Sequence, residues 1–406
     1  MREVVEDRER QTLAPYAAFS NRAERRFPDS PEEESGRSAY QLDRDRILYS
    51  TAFRRLQYKT QVYVLHEGDF YRTRLTHTLE VMQIARTLAR SLGCNEDLAE
   101  AIALAHDLGH PPFGHAGEQE LGALVGGGFD HNLQGLRIVD ELELRYPSFP
   151  GLNLTYETRE GLARHVTDYD NPRVPPEFAV HHQPSLEAQI VNLADQIAFC
   201  THDLDDALVG GMTSLAELRA QGIPMVAGAE RLAREEIRRS PPADPRVLGR
   251  RVIRHLIHTL IQDATRWSGE NLKGVSSLPE VRECASTMIG LPSGLTGDFA
   301  ALKSFLMERV YRSHLVQVMN HKGRLIVRGL FRAFLDHPEL LHPLTRALWE
   351  ADDSEAARAR VVADYVCGMT DSFAMNMYTA IFEPEGRALH LVMQRAPFGE
   401  GGSDVD

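Results

Sequence analysis

The apolar run Ala101-Ile102-Ala103-Leu104-Ala105 leads without a break into His106-Asp107-Leu108-Gly109-His110-Pro111-Pro112-Phe113-Gly114-His115. A helix built on such a run has to be buried, and it draws an imidazole and a carboxylate into the interior with it. Groups of that kind are buried only where something pairs with them, because lost hydration is otherwise uncompensated. Pro111 and Pro112 then end the helix, since proline donates no amide hydrogen and restricts the residue before it. The chain therefore changes direction beside nitrogen and oxygen donors, an arrangement that a divalent metal site can use.

The rest of the chain is patterned for helices. Apolar residues recur three or four apart in Leu75, Leu79, Met82, Ile84 and Leu88, in Leu98, Ile102, Leu104 and Leu108, and in Ile190, Leu193, Ile197 and Leu204. Segments 185–208, 245–266 and 299–336 read as further helices, separated by Val209-Gly210-Gly211, Ser240-Pro241-Pro242 and Pro292-Ser293-Gly294. Alternating strand patterns are scarce, and only residues 61–65, rich in valine and tyrosine, suggest a short strand or hairpin. The expected fold is all-α, with no internal repeat.

With 406 residues, 43% of them hydrophobic, the chain can bury one large core or two adjoining ones. No apolar run is long enough to span a bilayer, and the start Met1-Arg2-Glu3-Val4-Val5-Glu6 is charged where a signal peptide is apolar. The expectation is a cytoplasmic protein with no membrane partner. Cys94, Cys200, Cys284 and Cys367 are too scattered for a thiolate zinc site or a disulfide framework and read as small buried hydrophobes. A net charge of -13 disfavours generic nucleic-acid binding, so a phosphate ligand needs local cations and a metal.

Arg74 and His77 share one helical face at i, i+3, and Asp195 interrupts the apolar helical segment 187–198, with Asp203 about two turns further on. His77, His106, Asp107 and Asp195 together offer two imidazoles and two carboxylates. Such a set suits manganese, iron, magnesium, cobalt, nickel or zinc without choosing among them.

The order His77, His106-Asp107, Asp195 resembles the HD superfamily of metal-dependent phosphohydrolases. Residues 51–62, 106–118 and 127–132 look like the corresponding stretches of its deoxynucleoside triphosphate triphosphohydrolases, the dGTPase-like enzymes. The likeness covers residues 40–206 and is looser beyond 300, around 302–306 and Val310-Tyr311. It implies an HD-domain helical core over 46–206, preceded by a partly mobile N-terminal arm (1–45) and followed by a helical region (207–395) and a tail (396–406). The implied reaction cleaves the bond between the α-phosphorus and the 5′ oxygen, releasing a deoxynucleoside and inorganic tripolyphosphate. The implied metal, magnesium or manganese first with iron, cobalt, nickel or zinc also open, sits on His77, His106, Asp107 and Asp195.

The resemblance also distributes the remaining roles. His115, nine residues beyond His106 and past the proline pair, is the expected general acid or base, with Glu118 at i+3 holding its ring and relaying the proton. His110 and His131 match histidines that approach the phosphates, and Arg74 matches an arginine on the triphosphate. Gln61 and Asp203 match residues on the sugar 3′-hydroxyl, while Arg54, Arg55 and Lys59 add local positive charge. Relatives are often homo-oligomers, which makes a dNTP or single-stranded DNA effector between subunits an open expectation.

Two departures stand out: Gln196 and Phe199 occupy positions where relatives often carry a charge and a tyrosine. Two other readings stay open at this point. One is a different HD-type nucleotide phosphohydrolase, although such families usually lack the Lys59-Thr60-Gln61 segment and the Pro-Pro-Phe-Gly-His extension. The other is a non-catalytic dNTP or single-stranded DNA regulator.

Overall fold

In a computed structural model, residues 2–30, 36–61, 71–166, 173–240, 244 and 246–383 are described. Among them no strand occurs, and the nearest approach to sheet is a pair of isolated bridges, Thr60 with Thr73 and Leu144 with Gly151. The fold is all-α. The strand suggested for 61–65 lies outside the described residues except for Gln61, which sits in a bend. Pro241 and Pro242 of one expected break and the whole 396–406 tail also lie outside them.

The helices that shape the site follow in chain order. The first half of the chain contributes α1 (Arg2–Thr12), α2 (Ala39–Leu48), α3 (Arg74–Leu92), α4 (Glu96–Ala105), α5 (Gly114–Leu124), α6 (His131–Arg137) and α7 (Tyr156–Ala163). Then come α8 (Leu186–Val209), α9 (Pro224–Arg239), α10 (Val247–Asn271), α11 (Ser293–Leu306), α12 (His314–Asp336), α13 (Glu355–Cys367) and α14 (Asp371–Phe382).

Their starts are written in side chains. Thr73, Asn95 and Ser185 each accept a hydrogen bond from backbone amides in the first turns of α3, α4 and α8. Gly93, at φ +69°, closes α3 in the left-handed conformation that suits glycine.

From Ala101 onward α4 is apolar on all sides because it lies between two cores. Leu98, Ala99, Ile102 and Ala103 join the main cluster with α3 and α8, while Ala101, Leu104, Ala105 and Leu108 join another with Ile47, Phe53 and Leu162. Burial on both sides fixes where its C-terminal end delivers His106 and Asp107.

The main cluster also takes in Val226 of α9, Leu256 of α10 and Leu302 of α11, so helices beyond 206 share a core with those before it. A further cluster joins Ile326, Val327 and Phe331 of α12 and Val362 and Val366 of α13 to Phe113 and Leu121. The sequence suggests one helix over 299–336, but the chain forms α11, a π-turn at Met307–Tyr311, and then α12 capped by Ser313. Apolar spacing runs through Leu302, Leu306 and Val310, all buried, and so conceals the start of the break.

All four cysteines are free thiols, with Cys94, Cys200 and Cys367 buried and Cys284 half-buried. No helix of the described residues is long and apolar enough to cross a membrane.

Candidate active site

Five segments converge on the turn after α4: the starts of α3, α5 and α6, the end of α7, and the middle of α8. The turn can close only around glycine at 109, where a β-carbon would lie 1.9 Å from the His131 carbonyl oxygen. Phe113 takes the left-handed conformation at φ +64°, which is strained for a side chain other than glycine. Its amide donates to Asp371 Oδ1 at 3.0 Å, and the Thr60 amide donates to the other oxygen of that carboxylate, also at 3.0 Å. The Thr60 hydroxyl makes a short bond to the same oxygen.

At the centre, His106 donates through Nδ1 to the Ala103 carbonyl at 2.6 Å. Its Nε2 is buried with no hydrogen-bond partner among the described residues. That nitrogen lies 3.6 Å from Asp107 Oδ1 and 3.8 Å from Asp195 Oδ1. His77 Nε2 meets Asp195 Oδ1 at 2.9 Å, and His165 Nε2 meets the second oxygen of Asp195 at 3.4 Å. Asp107 gives one oxygen to Arg74 at 2.9 Å and the other to His110 Nε2 at 3.2 Å.

Both carboxylates are held anionic. Burial pushes Asp107 up, but His106, Arg74 and His110 outweigh it and hold the group well below the ordinary range. Asp195 is likewise raised by burial and lowered further by His165, His77 and His106, ending well below it. Burial lowers His106, which favours the neutral, lone-pair-bearing ring. Two overlapping groups, His77-His106-Asp107 and His106-His165-Asp195, keep their donor atoms within 4.8 Å of one another. Two anionic carboxylates facing an orphaned buried imidazole nitrogen fit a divalent cation.

Beside this cluster stands a second. Glu118 Oε1 accepts from the His131 amide at 2.8 Å and meets its ring nitrogen at 2.9 Å, whereas Oε2 lies 3.5 Å from His115 Nδ1 and 3.7 Å from His110 Nδ1. The His110 and His131 rings stack at 3.9 Å. Burial raises Glu118, but His131, His115 and His110 bring it well below the ordinary range, while burial drives His110 well down. Glu118 thus serves three imidazoles, and its tightest contact is with His131 rather than with His115.

A cavity of about 580 Å³ opens beside these histidines, lined among others by Gln61, Phe113, His115, Glu118, Phe199 and Tyr311. Gln61 Oε1 is buried there without a partner among the described residues. The hydroxyl missing at Phe199 has a counterpart in Tyr311, which stacks on that ring at 5.7 Å and whose hydroxyl bonds Asp203. Burial pushes the Asp203 carboxyl up to about 7. Arg74 lies only 2% exposed, directed at Asp107.

The expected local cations are placed differently from one another. Lys59 is buried and donates to the His110 and Cys367 carbonyls at 2.6 and 3.0 Å, and burial lowers its amine to about 8. Arg55 donates to the Gly368 carbonyl at 2.9 Å, and Arg54 is exposed. Sequence reading missed His165, Asn192, Asp371 and the hydroxyl of Tyr311. Asn192 carried a signal, three residues before Asp195 on the same helical face. His165 carried none, being a lone histidine after a short helix.

Comparison with known proteins places these features in a family context. Residues 74–200, which hold His77, His106, Asp107, His165 and Asp195, match the HD domain, and residues 289–380 match the phosphohydrolase-associated domain. A deoxyguanosinetriphosphate triphosphohydrolase-like protein of Syntrophus aciditrophicus is 47% identical over 394 residues, covering 94% of this chain and 97% of its own. A protein so described from Bordetella pertussis is 47% identical over 91% of this chain and 96% of its own. Another from Geobacter metallireducens is 44% identical over 95% and 100%.

Proposed function

The chain belongs to the deoxyguanosinetriphosphate triphosphohydrolase-like family of HD-domain phosphohydrolases, and on that premise we propose that it hydrolyses deoxynucleoside triphosphates to a deoxynucleoside and inorganic tripolyphosphate. The observation that carries the reading is the anionic Asp107-Asp195 pair with the orphaned His106 nitrogen, next to three histidines around Glu118 and a cavity large enough for a nucleotide. The catalytic core of the proposal is residues 46–206, with the 1–45 arm, the 207–395 helices and the 396–406 tail around it.

His77, His106, Asp107 and Asp195 would hold a divalent ion, magnesium or manganese first. Bound there, it supplies Lewis-acid polarisation of a phosphoryl oxygen and neutralises developing charge. His115 keeps 42% of its side chain exposed on the cavity wall, so its ring can exchange protons with water and with the reacting oxygens. Glu118 orients that ring along with His110 and His131, which face the phosphates. Arg74 reaches the triphosphate from its anchor on Asp107. Gln61 and Asp203 read the 3′-hydroxyl, and Tyr311 closes the sugar side. A homo-oligomer regulated by a dNTP or single-stranded DNA belongs to the same proposal and is tested by sedimentation with and without each effector.

The decisive experiment incubates the protein with Mn2+ and each dNTP and resolves the phosphorus products. Tripolyphosphate with free deoxynucleoside is expected. Orthophosphate or pyrophosphate would overturn the reading in favour of another HD-type hydrolase, and tight dNTP binding without turnover under any divalent metal would favour a regulator.

A further inference from the structure

His165 stands outside the four donors named above, yet it is built into the same site. Its backbone is pinned on both sides: the amide donates to the Leu162 carbonyl at 3.3 Å, and Asn132 Nδ2 donates to its carbonyl at 2.8 Å. Its ring is 1% exposed and lies 5.1 Å from the ring of His106. Nδ1 meets Asn192 Oδ1 at 2.7 Å, and the Val166 amide reaches the same atom at 3.4 Å.

That second contact decides the tautomer. A backbone amide only donates, so the Asn192 atom it faces is the carbonyl oxygen, and His165 Nδ1 must carry the hydrogen it shares with that oxygen. Nε2 is the ring atom left to face Asp195 Oδ2, at 3.4 Å, and His106, His165 and Asp195 keep their donor atoms within 4.8 Å of one another. A cation placed among these atoms would be attracted by the Asp195 carboxylate and met by the ring nitrogen. A histidine whose far nitrogen is held by an amide oxygen is also how proteins orient an imidazole toward a metal.

We propose that His165 is a fifth protein donor to the divalent ion, oriented by Asn192 and sharing Asp195 with His77 and His106. The proposal rests on the reading of His77, His106, Asp107 and Asp195 as the metal site. It also narrows the metal. Three imidazoles and two carboxylates suit a transition ion such as manganese, iron or cobalt, whereas magnesium binds through few protein oxygens and keeps most of its water.

Mn2+ alone, loaded into the wild-type protein, is the probe, and pulsed electron paramagnetic resonance counts the coordinated imidazole nitrogens. Three are expected in the wild type and two in His165→Ala, whose Mn2+ affinity should fall roughly 10- to 100-fold while its affinity for Mg2+ changes far less. Two imidazoles in the wild type, or a His165→Ala protein with unchanged Mn2+ affinity, would overturn the fifth donor and leave the four-donor site standing. Failure of the wild type to bind Mn2+ would overturn both readings together.

Discussion

Asp371 is the residue through which the C-terminal helices act on the turn, and its removal has a calculable effect. It is 1% exposed and accepts from the Thr60 amide, the Thr60 hydroxyl and the Phe113 amide. Asp371→Ala strands two backbone amides and a hydroxyl in the interior, each at roughly 1–3 kcal/mol, so a loss of about 3–9 kcal/mol is expected. Asp371→Asn keeps one accepting oxygen and should lose about 2 kcal/mol. The Phe113 amide bond also holds a left-handed residue against strain of about 1–2 kcal/mol, one position before the glycine that opens α5. Release would let His115 shift, and a displacement near 1 Å can lower turnover by about 100-fold. Urea unfolding followed by circular dichroism, with turnover measured where Asp371→Asn stays folded, tests both parts. An Asp371→Ala protein within about 1 kcal/mol of wild type, turning over at the wild-type rate, would refute the reasoning.

Three other perturbations follow from the geometry. Burial pushes Glu157 up to about 7 from 4.5, so its contribution to stability is present below about 4.5 and lost as pH rises through 7. Glu157→Gln should therefore change little at pH 4 yet gain stability at pH 8, by at most about 3 kcal/mol and nearer 1–2 given its partial exposure; equal effects at both pH values in denaturant titrations would contradict this. If Gln61 reads the 3′-hydroxyl, dideoxynucleoside triphosphates should be far poorer substrates for the wild type, with Gln61→Ala narrowing the gap in kcat/KM. Glu118→Gln should lower turnover by about 100-fold, and adding His115→Ala should do little more, because the two act as a unit. A double variant whose loss equals the product of the single losses would separate them.

The helical class was readable because apolar spacing directly reports which face is buried, and the second half of α4, Ala101 to Ala105, apolar all round, announced its own place between two cores. The break at residues 307–313 was not, since Leu302, Leu306 and Val310 carry the rhythm into it and a single capping serine is a weak signal. The histidines of residues 106–115 were conspicuous in sequence because the segment concentrates donors beside a proline pair. His165 and Asp371 were hidden for the opposite reason. Each acts through partners far along the chain, Asn132 and Asn192 in one case and Thr60 and Phe113 in the other, and no local spacing encodes such a meeting. Charge at Lys59 was visible, but its burial against two carbonyls depends on where residue 367 arrives.

The tie between Thr60 and Asp371 spans 311 positions, and that between Phe113 and Asp371 spans 258. Closing a loop of that length costs about 5 kcal/mol in chain entropy, so these contacts are expected to form late, after the local helices have assembled. During synthesis the proposed metal donors His77, His106, Asp107 and Asp195 leave the ribosome long before residue 371 exists. A nascent or prematurely ended chain would hold the donors without the strained turn that presents His115. If the chain hydrolyses nucleotides as proposed, activity would then begin only once residue 371 has been made and has docked on the turn.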